Sequence, residues 1–398
     1  IILHPVLSPR KQHRVWLPDL VGTYLGNGTK KFILAFSIIV LMLVGTVFVF
    51  SPALILGDIA GDGSKIAIMI WVGVIFLYYL LATLMPVDKI IGRIYPIFAF
   101  ALLFMAVALM LCLFVKWPSL PELWDGLGNM GEANGLLKDQ PIFPCLFITI
   151  ACGAVSGFHA TQSPLMARCL TDEKLGRPVF YGAMITEGIV ALIWATVSSW
   201  FFFDGGAEAV GSTLHAAAPE VVVNVSKSWL GVLGGVLAVL GVVAAPITSG
   251  DTAFRSARLI VADFLHLDQK PVRNRLTISI PLFAIAGLLL WYNIADEDGF
   301  NVIWRYFGWA NQTLAVFMLW TATAYLVKSK PNGSAAYLLT LFPAAFMTAV
   351  CTTYLCIAKI GFNLPNTWNY AIGSVTFLLS LVLFFLWKFR RNRKGNME

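Results

Sequence analysis

Charge is what this chain has least of. Only 12% of its 398 residues are Asp, Glu, Lys or Arg, whereas 58% are hydrophobic and mean hydropathy is +0.78. Soluble domains are roughly one-quarter charged, so a water-soluble fold is excluded: it would have nowhere to bury so much apolar surface. Cysteine is sparse as well. Cys112, Cys145, Cys152, Cys169, Cys351 and Cys356 are scattered, mostly within apolar runs, with no metal-ligand pairing and no disulfide framework. They read as small buried hydrophobes. Enzyme signatures are missing too: no zinc-spaced His/Cys set, no GxSxG and no P-loop followed by lysine. No catalytic or metal-ligating residue is assigned and no cofactor is expected. Uphill movement of a solute would draw on an ion gradient.

What the chain does have is apolar runs of membrane-spanning length, about 18 residues or more. Ten are read: 32–56, 66–84, 94–115, 141–160, 178–203, 229–248, 276–294, 302–327, 337–358 and 368–387. The expected fold is an all-α integral membrane protein, a polytopic helix bundle. Residues 1–31 form a cytoplasmic N-terminal segment, 32–389 one transmembrane domain and 390–398 a basic cytoplasmic tail.

Loop charge orients these spans. With the N-terminus inside, 22 of the 28 Lys and Arg fall on inner segments and six (Lys65, Lys116, Lys138, Lys227, Arg305 and Lys359) on outer ones. Acidic residues lean the other way, 12 outside and eight inside, with Glu187 alone inside a span. This is the positive-inside bias, and it predicts an inner-membrane protein with both ends cytoplasmic. The basic pI of 9.1 then needs no nucleic acid. The positive charge faces an anionic leaflet, so the lipid bilayer is the partner it implies.

Four polar interruptions carry what chemistry there is. The first is "CGAVSGFHATQSP", residues 152–164, directly after "PIFPCLFITIA". Irregular backbone survives in a bilayer only inside protein or against a cavity. Gly153 and Gly157 let the chain leave a helix cheaply, and Pro164 opposes its continuation. On one reading the chain unwinds near Phe158. Its free peptide groups, with Ser156, His159, Thr161, Gln162 and Ser163, then hold a cation or a carboxylate, as discontinuous helices do in transporters. On the other the span ends near Ala160, the glycines pack helices, and His159 is a hydrogen-bonded packing residue.

The second is Glu187, in "YGAMITEGIVALIW". It is either a neutral glutamate bonded to a neighbouring helix or a proton carrier facing a wet cavity. The third is "APITSGDTAFRSARL", residues 245–259. A helix over 229–265 would be roughly 55 Å long at 1.5 Å per residue, so it must tilt, bend at Pro246 or protrude. Thr248, Ser249 and Thr252 offer hydroxyl oxygens to a cation, unless they bond their own backbone. The fourth is the amide pair Asn311 and Gln312 inside the eighth run, which must find partners. They are inter-helix glue or part of a substrate cavity.

"PIFPCLFITIACGAVSGFHATQSPLMARCL", "SGDTAFRSARLIVADFL" and "NVIWRYFGWANQTLAVFML" together resemble the signatures of the carbon starvation protein A family, the peptide/pyruvate transporter group. The similarity runs from "WLPDLVGTYLG" onward. The family's Gly/Pro-rich "GPILGPI"-type N-terminal helix is absent, and the chain opens on Ile1, so about two spans are expected to precede those seen here. The resemblance implies a LeuT-like inverted-repeat fold. With two spans added, "SGFHATQSP" falls on the sixth helix, "ITSGDT" on the eighth and "NQ" on the tenth. It implies an ion-coupled importer of small carboxylates, peptides or pyruvate, during carbon starvation. The substrate residues would be Ser156, Gly157, His159, Thr161, Gln162, Ser163, Asn311 and Gln312. Glu187 would carry H+, or Thr248, Ser249 and Thr252 would hold Na+. The rivals are a membrane nutrient sensor that binds such a ligand without transporting it, and a membrane enzyme with only His159 and Glu187 for acid–base work.

Overall fold

A computed structural model describes residues 16–59, 63–84, 88–118, 140–153, 155–212, 214, 218–296, 299–329 and 335–395. No strand occurs among the described residues. The principal helices are α1 (Leu17–Leu25), α2 (Asn27–Ile59), α3 (Lys65–Leu84), α4 (Asp88–Lys116), α5 (Ile142–Ile150), α6 (Gly157–Cys169), α7 (Ala183–Phe203), α8 (Ala218–Ala238), α9 (Ala244–Phe264), α10 (Val272–Ala295), α11 (Gly299–Ser329), α12 (Leu338–Ile357) and α13 (Asn369–Gly395).

Among the described residues, nine stretches are long and apolar enough to cross a bilayer. The tenth expected span, 302–327, is a continuous helix within α11 but falls outside that set. Asn311, Gln312 and several threonines lower its hydropathy. The protein is thus an all-α polytopic membrane protein, and its surface agrees. Ile185, Ile189 and Leu192 are 47%, 52% and 69% exposed along one stripe of α7. Apolar faces this open need lipid, since water would not tolerate them.

The chain sorts into two units, each built from separated segments. The first takes the described parts of Ile1–Val40, Asn129–Met184 and Arg305–Glu398. Its core gathers Ile148 and Ala151 beside the α5 end with Val316 of α11 and Met347, Val350, Cys351 and Tyr354 of α12. α12 and α13 pack as a hairpin, and both touch α5. The second takes the described parts of Leu41–Gly128 and Ile185–Trp304. Its core combines Met105 and Leu109 of α4 with Val197 and Phe201 of α7 and Val221, Val225 and Leu237 of α8.

Several boundaries depart from the sequence reading. Part of the expected N-terminal segment, residues 1–15, lies outside the described residues. The rest is α1 and the first residues of α2; α1 touches α6, with Leu17, Leu20 and Val21 buried, so it is packed structure. The basic tail continues α13 as far as Gly395. The long helix expected over 229–265 is interrupted twice. Gly231, with a positive φ of 60°, breaks α8, and a π-helical stretch, Val239–Val243, joins it to α9 just before Pro246. Both interruptions precede Pro246, where a bend was one of the three expected alternatives.

Candidate functional site

The interruption at 152–164 is a broken helix. α5 ends at Ile150, one 3-10 turn covers Ala151–Gly153, and Ser156 is extended at φ −107°, ψ 128° before α6 starts at Gly157. The break thus lies ahead of Gly157, and Phe158 sits in the first turn of the second half-helix instead of in unwound chain. Pro164 also departs from expectation, because α6 runs through it to Cys169.

A helix break leaves orphan carbonyls on one side and orphan N–H groups on the other. Here two adjacent amides of α11 meet one of each. Gln312 donates through Nε2 to the Ile148 carbonyl at 3.3 Å, at the C-terminal end of α5. Asn311 Oδ1 accepts the Phe158 backbone N–H at 2.6 Å, at the N-terminal end of α6. Asn311 Nδ2 points back into the break, 3.3 Å from Ser156 Oγ and 3.5 Å from Cys152 Sγ. A primary amide is both donor and acceptor, so the pair couples both ends of the break to one continuous helix. Asn311 and Gln312 are 1% and 0% exposed, as such bonds in lipid require. Gly157 allows this approach: a Cβ there would strike the Asn311 carbonyl oxygen and lie 2.5 Å from Leu314 Cβ. The glycine is needed for close packing, and the left-handed conformation plays no part.

The remaining expected substrate residues divide by helix face. Thr161 is buried and donates to the Phe158 carbonyl at 2.7 Å. Ser163 donates to the His159 carbonyl at 2.6 Å, and Gln162 Nε2 to Thr161 Oγ1 at 3.2 Å. His159, Gln162 and Ser163 share a half-buried face of α6. The structure therefore brings Ser156 and Gly157 to Asn311 and turns His159, Gln162 and Ser163 elsewhere.

The expected ion residues belong to the second unit. Glu187 is half-buried, one turn into α7. Thr248 donates to the Ala245 carbonyl at 2.8 Å and Thr252 to the Thr248 carbonyl at 2.9 Å. Both hydroxyl protons are spent on their own helix, which leaves their oxygen lone pairs available. Ser249 is half-buried beside them.

Sequence reasoning missed the most buried charged group described in α9. Asp251 is 4% exposed and pairs with Arg255 at 3.0 Å. One residue before it, Gly250 lies against the hydroxyl of Tyr79, which reaches the carbonyls of Phe48 and Pro246 at 3.3 and 3.4 Å. The i,i+4 spacing of Asp251 and Arg255 was the available signal.

The profile of the family described as "Carbon starvation protein CstA" matches residues 17–232 and 204–354, which include the broken helix and both amides. This chain belongs to that family. A Haemophilus influenzae protein called an uncharacterized membrane protein is 42% identical over 47% of this chain and 62% of its own length. A Campylobacter jejuni relative named peptide transporter CstA is 31% identical over 60% of this chain and 40% of its own. An Escherichia coli relative named pyruvate/proton symporter BtsT is 26% identical over 60% and 43%. This CstA-family chain thus spans less than two thirds of the length of each of these three relatives.

Proposed function

We propose that the protein is a multi-pass inner-membrane secondary transporter that imports small carboxylate nutrients, peptides or pyruvate, at the expense of an ion gradient. One observation carries the reading: α5 and α6 form a helix broken inside the apolar region, with the N-terminus of α6 aimed at a polar group. Such a terminus carries partial positive charge and free amides, and it binds anions. Asn311 Oδ1 occupies the acceptor position at the Phe158 amide, where a substrate carboxylate oxygen would sit. We assign Asn311 as an internal stand-in that the carboxylate displaces, with Ser156 beside it and His159, Gln162 and Ser163 bordering the path along α6.

Relatives named for peptide and for pyruvate/proton transport support the substrate class. The second name supports H+ as coupling ion, and Glu187 is our candidate for its carrier; Thr248, Ser249 and Thr252 are the corresponding candidates for Na+. The LeuT-like repeat belongs to this proposal, and so does the placing of both ends in the cytoplasm.

The test is uptake of labelled pyruvate and of a labelled dipeptide into vesicles holding the purified chain, with and without imposed H+ or Na+ gradients. Gradient-driven uptake is expected, abolished by Glu187→Gln with substrate binding retained. Uptake untouched by that change removes the proton role. Binding with no flux under any gradient replaces the transporter by a sensor.

A further inference from the structure

The second unit holds a cavity of 490 Å³ whose lining residues the proposed function does not use. Its size lies within the range of about 300–1,000 Å³ typical of small-molecule sites. Three chemistries meet in its wall. Phe50 and Phe300, stacked at 5.4 Å between centroids, line an apolar flank. Lys65, at the start of α3, supplies a cation to the lining, and Glu220 and Asp296 supply carboxylates. Lys65 is exposed and has no ion pair among the described residues.

Asn293, of the last turns of α10, also lines the cavity. It is 4% exposed, and neither its Nδ2 nor its Oδ1 has a hydrogen-bond partner among the described residues. Burying an amide without partners costs free energy comparable to that of lost hydrogen bonds, and native proteins rarely leave one so. An amide with both donor and acceptor open, beside a cavity, is what a ligand offering the complementary pair would satisfy.

We propose that this cavity is a separate binding site for a small zwitterion of the short-peptide type. The ligand's carboxylate pairs with Lys65, its ammonium with Glu220 and Asp296, its peptide group with Asn293, and an apolar side chain lies along Phe50 and Phe300. Pyruvate has the carboxylate but neither the ammonium nor the amide, so it is a poor ligand here. Lys65, Glu220 and Asp296 all come from segments that loop charge places outside, so ligand would enter this site from the outer face.

The probe is radiolabelled L-alanyl-L-phenylalanine, bound at equilibrium to the full chain in lipid nanodiscs. Competitors are its N-acetylated form and pyruvate. Lys65→Met and Asn293→Leu should each weaken binding about tenfold or more, and neither competitor should displace the probe. Asn293→Leu should also leave the unfolding midpoint unchanged or higher, because it removes a buried amide that has no partner; a lowered midpoint would mark Asn293 as a structural residue and overturn the assignment. Unchanged binding in both variants, or displacement by pyruvate as readily as by unlabelled dipeptide, would overturn it as well. The readout is independent of flux. Failed uptake with Lys65-dependent binding retained would sink the transporter reading and leave this site standing.

Discussion

At the scale of single residues, the neighbours Asn311 and Gln312 are unequal. Asn311→Leu removes the amide oxygen that accepts the Phe158 N–H, and losing such an acceptor costs about 1–3 kcal/mol. Gln312→Leu loses the bond to the Ile148 carbonyl, but it also removes Oε1, a buried oxygen without a partner among the described residues. Carbonyl groups tolerate under-satisfaction better than N–H groups, so the two terms of Gln312→Leu nearly offset. Denaturation of the two purified variants should therefore rank Asn311→Leu well below Gln312→Leu in stability. The reverse order would show that the α5 end, and not the α6 end, depends on this contact. Gly157→Ala is expected to resemble Asn311→Leu, since its methyl meets the Asn311 carbonyl and Leu314 and pushes α11 off the half-helix.

At the scale of elements, α9 is fixed where a glycine meets a tyrosine. The atom nearest a Cβ on Gly250 is the Tyr79 hydroxyl oxygen, with Cζ at 2.7 Å behind it. Gly250→Ala should destabilise by about 1–3 kcal/mol through overpacking. Tyr79→Phe, which removes the first atom in the way, should restore part of that loss. A double-mutant cycle on unfolding midpoints reads the coupling, expected within about 0.5–3 kcal/mol, and strictly additive changes would place the strain elsewhere. How far such features were legible in the sequence varies with their range. The break between α5 and α6 announced itself because glycine and hydroxyls interrupt an apolar run. Its exact place did not: Pro164 looked like the stop, yet membrane helices accept an interior proline when neighbours satisfy the freed groups. The partners of Asn311 and Gln312 lie more than 150 residues away along the chain. Sequence alone could state that the amides needed partners and could not choose them. The back-bonding of Thr248 and Thr252 is local, and it was one of the two readings open from the start.

At the scale of the whole molecule, the prediction with most reach concerns sidedness. Alternating the spans from a cytoplasmic N-terminus assigns each connection to a side, and the contacts within each unit respect those assignments. In the second unit, Lys65, Glu220 and Asp296 line one cavity, and all three were assigned outside. In the first unit, the Tyr306 hydroxyl donates to the Ile360 carbonyl at 3.0 Å and Asn369 Nδ2 to the Phe143 carbonyl at 3.0 Å, again between outer ends. Lys328 lies 3.3 Å from the Thr23 carbonyl and 4.9 Å from the Tyr24 ring centroid, both on inner segments. A single miscounted span between any of these partners would have put them on opposite faces of the bilayer. The count is therefore constrained by geometry as well as by hydropathy, although α11 is more polar than the nine most apolar stretches. Which face is cytoplasmic rests on the positive-inside bias. Single cysteines at 65, 296 and 359, in a background with the six native cysteines changed to alanine, should react in whole cells with a membrane-impermeant maleimide. Cysteines at 270 and 328 should react only after permeabilisation. Full inversion of that pattern would keep the span count and reverse the orientation. A mixed pattern would break the count itself, and with it the assignment of the cavity at Asn293 to the outer face.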